Sequence, residues 1–345
     1  MKTPANHVIA LLSLLLTGCS SVSYFTIPVY KPANHLFPAT GSSVVIVNNA
    51  VEQNPHIGST VIFDNGTVER VSLERDSITP VLVSGIADHF YNSGLFSDVL
   101  IYNDALRTDS LWYTTRPLSG QQIDTIAAQS GAEWILSLES LTYQITIKET
   151  FEKEINMKAA KMQSILRPYF CLYKTDTHRI EKKYVFTDTL YWHGYAYDFL
   201  TAMMALPDIG ACLTDASALM AEYGYKQWLP HETEETRYFI SSNDVGMREA
   251  QRLLNEVSPE DACYMWEYVY ETNKNKRTRL YAAYNIAVFR ETLNEYGNAI
   301  DWLNKCLALN TDKEDIERLN IAEYLSSLNK RRNEQNILES QGVVF

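Results

Sequence analysis

Asp188 and Asp198 flank Trp192 and His193 in the stretch DTLYWHGYAYD. Two carboxylates beside aromatic rings are the residue types that hydrolyse or bind a sugar. The same residues suit a strand end at which polar groups border a buried tryptophan, and that reading is preferred. The histidines His35, His56, His89, His178, His193 and His231 never stand at metal-ligand spacing, so a zinc site would have to be assembled from distant segments. The chain has no H-E-x-x-H, no G-x-S-x-G, no G-x-x-x-x-G-K-[ST] and no G-x-G-x-x-G. The expectation is therefore no catalytic residue, no cofactor and no metal, in a protein that is not an enzyme.

A different chemistry is written at the N-terminus. The apolar run Val8 to Leu16 is far short of the ~20 residues that a membrane-spanning helix needs. With Lys2 before it and small residues after it, the run has the shape of a secretory signal peptide, assigned to 1–18. Leu16-Thr17-Gly18-Cys19 resembles a bacterial lipobox. That resemblance implies cleavage before Cys19, alkylation of its thiol by diacylglycerol and acylation of the new amino group with a palmitate-class chain. One acyl chain gives only reversible membrane binding, whereas two or three on one residue make a durable anchor. Ser20 and Ser21 follow with no acidic residue directly after the cysteine, a pattern similar to that of lipoproteins sent to the outer membrane.

Cys171, Cys212, Cys263 and Cys306 are scattered without C-x-x-C spacing. An oxidising compartment would permit disulfides, but Cys263 and Cys306 fall where helices bury small side chains, and buried free thiols are expected. Asp76-Ser77-Ile78, Asp109-Ser110-Leu111, Asp124-Thr125-Ile126 and Asp188-Thr189-Leu190 repeat an Asp-Ser/Thr-apolar pattern. It is similar to the O-glycosylation acceptor of Bacteroidetes envelope proteins, although Asp, Ser and Thr also favour helix caps and turns. The net charge of -12 opposes nucleic acid, whose affinity comes largely from Lys and Arg on phosphates. The same sign disfavours adsorption to anionic lipid, so the lipid must hold the protein at its membrane.

The elements that position these groups follow from pattern. The lipidated segment 19–40 carries three prolines and little periodicity and reads as an extended tether. Residues 41–197 read as a mixed α/β domain. Ser43 to Val47 suits a strand buried on both faces, and Asn65-Gly66 a tight turn. Ile86 and Phe90 mark a helix, Gly94 stops it, and a strand follows. Ser119 can cap a second helix carrying Ile123 and Ile126, with Gly131 at its end and a strand from Glu133. Between Met157 and Trp192 residues alternate about a turn at Lys174 to His178, so the sheet is expected to be mixed. Residues 198–242 read as a helical connector, and 243–345 as helical repeats. The fold class is α+β, a mixed α/β N-terminal domain followed by an all-α helical domain.

Two resemblances sharpen this. FYNSGLFSDVLIY with GQQIDTIAAQSGAEWILSLESL resembles the small α/β domain near the N-terminus of TolB and of lipoproteins related to CsgG and LpoB, over roughly residues 40 to 195. AAYNIAVFRETLNEYGNAIDWLNKCLALN resembles a tetratricopeptide repeat, with Ala287 and Ala299 letting two helices approach closely. The small-to-small interval recurs from Ala250 to Ala262, and Ala322 stands near the next position. Such repeats expose a surface used for partners, here assigned to Arg290, Tyr296 and Trp302. The basic stretch Lys274 to Arg279 reads as a solvated loop. The assembly of signal, lipobox, α/β domain and repeats resembles uncharacterised Bacteroidetes lipoproteins. It implies a lipid-anchored envelope protein that recruits a protein partner or supports assembly. A glycan- or nutrient-binding lipoprotein loosely like SusD is the alternative, and an envelope hydrolase using Asp188 or Asp198 the third reading.

Overall fold

The computed structural model describes residues 21–34, 41–72 and 77–343. Cys19 and the signal segment lie outside them, as does Asp76. In chain order the strands and helices are β1 (Ser21–Lys31), β2 (Ser43–Asn48), β3 (Ser59–Ile62), β4 (Val68–Arg70), α1 (Thr79–Asn92), β5 (Asp98–Tyr102), α2 (Gly120–Ser130), β6 (Trp134–Glu152), β7 (Met157–Lys174), β8 (Arg179–Val185), β9 (Asp188–Ala196), α3 (Phe199–Met204), α4 (Ile209–Gly224), β10 (His231–Ser241), α5 (Val245–Glu256), α6 (Pro259–Thr272), α7 (Lys276–Thr292), α8 (Tyr296–Leu309) and α9 (Ile316–Ser340). They divide into an α/β unit, Ala33–Pro230, and a helical unit that joins β1 to everything from His231 onward. The α+β class is thus realised as a β-rich unit and a helical one.

In the α/β unit the sheet runs β4-β3-β6-β2-β5, with β7 antiparallel to β6 and both β8 and β9 antiparallel to β7. β2 is parallel to β5 and to β6. Side chains alternate along a strand, and β2 shows the result. Val44 and Ile46 enter one core with α1 and α4, while Val45 and Val47 enter another with Ile123 and Ile126 of α2. A strand buried on both faces must be apolar at every position, which is why SVVIVN carries no alternation. Ser119 and Gln122 form a reciprocal capping box on α2, and Gly131 closes it at φ 68°. Gly85 lets α1 lie close to α4, since an added Cβ there would meet Ala221 Cβ at 2.6 Å.

In the helical unit consecutive helices pack antiparallel, α5 on α6, α6 on α7, α7 on α8 and α8 on α9. Ala250, Ala262, Ala287 and Ala299 are fully buried at the crossings, so the interval read from sequence is a packing interval. Ala322 is exposed and its neighbour Ile321 takes the core position, because α9 turns a different face inward. The basic stretch is not all loop: α7 begins at Lys276, capped by the Asn275 side chain, which accepts from the Arg277 amide at 2.9 Å.

Two segments depart from the expected organisation. The tether at 19–40 contains an eleven-residue strand, β1, and the connector at 198–242 ends in another, β10. They pair antiparallel over their whole length, from Ser21 opposite Ser241 to Lys31 opposite His231. Pro28 is tolerated because a two-stranded ribbon has an open edge on each strand. The ribbon is fixed to α7 by Asn285, whose Oδ1 accepts the Ile240 amide and whose Nδ2 donates to the Ile240 carbonyl, each at 2.8 Å.

Candidate functional site

The connection leaving β2 passes through β3 and β4 to α1 on one face of the sheet, and the one leaving β5 leads to α2 on the other. Adjacent parallel strands with divergent connections leave a crevice outside their carboxyl ends, the usual ligand position in open α/β sheets. A cavity of about 510 Å³ lies there, lined among others by Asn48, Asn49, Ser84, Tyr102, Asp104 and Arg107. Asn48 Nδ2 donates to Thr79 Oγ1 at 2.9 Å, and the Thr79 hydroxyl donates to Glu52 at 2.7 Å. Glu52 also accepts from the Ser77 hydroxyl and from the Thr79 amide, so the α1 N-terminus already holds a carboxylate of this chain. Arg107 shapes the far wall. It grips Asp109 through Nε and Nη2 and donates from Nη1 to the Thr114 carbonyl at 3.0 Å. That grip, with the Leu111 amide, holds the Asp109 carboxyl down to about 2.

Behind the crevice lies an internal carboxylate. β6 shifts register between Leu138 and Ser140, and Glu139, at this irregularity, is fully buried. It accepts from Asn49 Nδ2 at 2.6 Å and from the Tyr173 hydroxyl at 2.7 Å. Burial pushes its carboxyl above the ordinary carboxylate range, against these two hydrogen bonds. Tyr173 in turn accepts the Leu118 amide at 3.0 Å. Asn49 is 2% exposed and donates a second bond to the Arg116 carbonyl at 2.8 Å, yet its Oδ1 accepts none among the described residues. The lining of the crevice supplies amides, a carboxylate, a phenol and a guanidinium, with no cysteine or histidine to pair as nucleophile and base. The strand expected from Glu133 includes Glu139, but the sequence alone assigned it no role. The one available signal was a charged residue inside the apolar run WILSLESL.

The helical unit has an ionic centre of its own. Glu291 of α7 is fully buried and receives Arg237 of β10 at 2.7 and 3.0 Å, together with Arg331 and Tyr324 of α9. Glu235 of β10 binds Arg237 at 2.8 Å, Lys31 of β1 at 3.0 Å, and Arg331. Burial opposes the charge on Glu235, but these three cations together hold its carboxyl down to about 2. The cluster ties β1, β10, α7 and α9 together.

The residues singled out for partner binding do not form one surface. Arg290 is spent on ion pairs to Glu267 at 3.3 Å and Glu295 at 3.2 Å. Tyr296 is buried and belongs to the core, since it is the residue that closes the α7–α8 turn against α7. Trp302 is half-buried, edge-on to Tyr270 with ring centres 5.1 Å apart and capped by the Lys305 ammonium. Sequence reading missed Tyr264 and Tyr268, one turn apart on α6 and 70% and 61% exposed. Tyr264 stands between Cys263 and Trp266 and Tyr268 between Trp266 and Val269, all three core-facing, and that spacing was the available clue.

Asp188 and Asp198 do not converge on Trp192. Asp188 begins β9 and Asp198 lies two residues past its other end, which at about 3.3 Å per residue separates them by roughly 30 Å, against the 5–9.5 Å of a glycosidase pair. Asp198 caps α3 instead, accepting the Thr201 amide at 2.9 Å and its hydroxyl at 2.7 Å. The thiols of Cys171, Cys212, Cys263 and Cys306 are all free and buried, and burial pushes Cys263 up to about 12. Of the Asp-Ser/Thr sites, Ser110 lies exposed in the loop after Arg107, whereas Thr125 is helical and donates to the Gln121 carbonyl at 2.9 Å.

A mixed α/β sheet with a crevice at its switch point, joined to stacked helical hairpins, defines a two-unit protein of α+β class. Within that class the chain belongs to the family of the domain of unknown function DUF8603, whose model matches residues 42–239, more than half of the chain. A second domain of unknown function, DUF6340, matches residues 248–330. Comparison with curated proteins gives no match. Among solved structures, the chain is similar to the PelC dodecamer of Paraburkholderia phytofirmans, at 11% identity over 60% of this chain and 99% of that one, with TM-score 0.25. A neuraminyllactose-binding hemagglutinin homologue of Helicobacter pylori matches at 8% identity, 55% and 93% coverage and TM-score 0.29. The lipoprotein GNA1162 of Neisseria meningitidis matches at 9% identity, 51% and 98% coverage and TM-score 0.18. Neither family model and none of these three structures carries the name of TolB, CsgG or a tetratricopeptide repeat. No described helix is long and apolar enough to cross a membrane.

Proposed function

We propose that this is a cell-envelope protein of the outer membrane, anchored by lipid on Cys19, which recruits a protein partner through its helical unit and catalyses no reaction. The observation that carries the reading is the exposed pair Tyr264 and Tyr268 on α6. Aromatic side chains of this kind are enriched at protein interfaces, where they supply large contact area with little side-chain freedom to lose. Neither ring contributes to the helical core, so both can be removed without unfolding it. The test is crosslinking in native membranes, comparing the wild-type chain with Tyr264→Ala/Tyr268→Ala. A discrete partner lost in the double variant, with the thermal unfolding of that variant unchanged, supports recruitment. An identical crosslinking pattern for both proteins rejects it.

The crevice favours a second reading, binding of a small hydroxylated ligand such as a glycan by the α/β unit. Asn49, whose buried Oδ1 lacks a donor among the described residues, shares the cavity lining with Tyr102 and Asp104. Calorimetric titration with soluble oligosaccharides checks this. Heat that disappears in Asn49→Leu supports it, and no heat with any saccharide tested rules it out.

A further inference from the structure

β1 begins at Ser21, two residues after Cys19. A chain spans at most about 3.3–3.6 Å per residue, so the anchor point and the first paired residue are no more than ~7 Å apart. Ser21 is already opposite Ser241, and pairing continues without a gap to Lys31. With lipid on Cys19 there is no slack between bilayer and body. The end of the helical unit at which the ribbon starts is held against the membrane surface.

That end has an unusual composition. On β1, Val22 is 43% exposed and Tyr24 69% exposed. Across a depression of about 400 Å³, the first turn of α9 presents Ile316, 74% exposed, and the same turn carries Leu319, 54% exposed, outside the lining. The floor of the depression is apolar and includes Ile240, Leu280 and Ile321. Single exposed apolar residues are ordinary on a soluble protein, but Val22, Tyr24 and Ile316 around one depression, with Leu319 in the same helical turn as Ile316, form a patch. Tyrosine with a wet hydroxyl and an apolar ring suits the boundary between headgroups and acyl chains. Arg277, at the start of α7, faces the charges of Asp315 and Glu317, so attraction to anionic headgroups is balanced locally and apolar contact is the driver.

The geometry points to this patch as a bilayer-contacting surface: Val22, Tyr24, Ile316 and Leu319 rest in the interfacial layer of the membrane that holds the lipid of Cys19. The inference depends on that lipid, which supplies the affinity, while the patch sets orientation. The α5–α6 junction, with Val257 exposed, lies at the far end of α6, which is about 21 Å long.

The test uses the full lipidated chain in phosphatidylcholine vesicles containing a headgroup-level nitroxide lipid, with a fluorophore on Ile316→Cys or on Val257→Cys. Strong quenching at 316 and several-fold less at 257 is the expected result. Adding Val22→Ser and Tyr24→Ser should reduce the quenching at 316 while the protein still sediments with vesicles. Equal quenching at both positions, or none at 316 in protein that sediments and carries the lipid mass, overturns the patch and leaves the anchor intact. An intact mass without lipid overturns both together, so the two failures are distinguishable.

Discussion

Glu139 and Glu291 are both buried carboxylates set in different surroundings, neutral donors around the first and cations around the second. Glu139 has hydrogen bonds from neutral groups alone, and burial raises its pKa. A carboxyl whose folded value lies above its unfolded value stabilises the protein below the unfolded value, and that contribution disappears as pH rises through the folded one. The α/β unit should therefore lose stability on going from acidic toward neutral pH. Glu139→Gln, which keeps a hydrogen-bonding group of the same shape, should remove that slope when urea midpoints are compared across pH. Glu291 instead sits among Arg237, Arg331 and Tyr324. Glu291→Ala leaves two guanidinium groups with a buried partner missing and should cost about 3–5 kcal/mol. Glu235 belongs to the same cluster and is held at about 2 against an ordinary 4.5. Its contribution is complete above about pH 4.5 and is lost as pH falls toward 2, so acid unfolding of the helical unit should begin in that window and shift upward in Lys31→Ala.

At the scale of elements, short-range rules place most of the α/β unit. The Ser119 cap, the Gly94 and Gly131 stops, the Asn65-Gly66 turn and the turn ending at His178 each depend on backbone preferences of a few consecutive residues. All five were legible in the sequence. The β1–β10 ribbon was not, because its strands are paired across roughly two hundred residues and HETEETRYFIS is too rich in glutamate to read as a strand. What makes it one is the cluster of cations that neutralises Glu235 and the Asn285 amide that closes Ile240. Asn285→Leu should leave the Ile240 amide and carbonyl unpaired and cost about 1–3 kcal/mol, read as a lower unfolding midpoint. In the helical unit the buried alanines permit close crossings, so Ala287→Leu should destabilise by about 1–3 kcal/mol through overpacking, measured the same way.

For the whole molecule, the sequence already carried the separation into a β-rich and a helical unit, the free buried thiols and the buried faces of α1, α2, α7 and α8. It also carried the proposed anchor, whose test is simple: Cys19→Ser should move the protein from the membrane to the soluble fraction and remove the lipid mass. These are properties of local pattern, in which hydrophobic period and capping residues act within one or two turns. Tertiary structure alone assigned β1 to the helical unit, separated Asp188 from Asp198, buried Tyr296, exposed Tyr264 and Tyr268, and placed Glu139 behind a crevice. Each of these depends on which distant segment lies opposite a side chain. That is settled by burial and by long-range pairing, neither of which leaves a periodic trace in the chain.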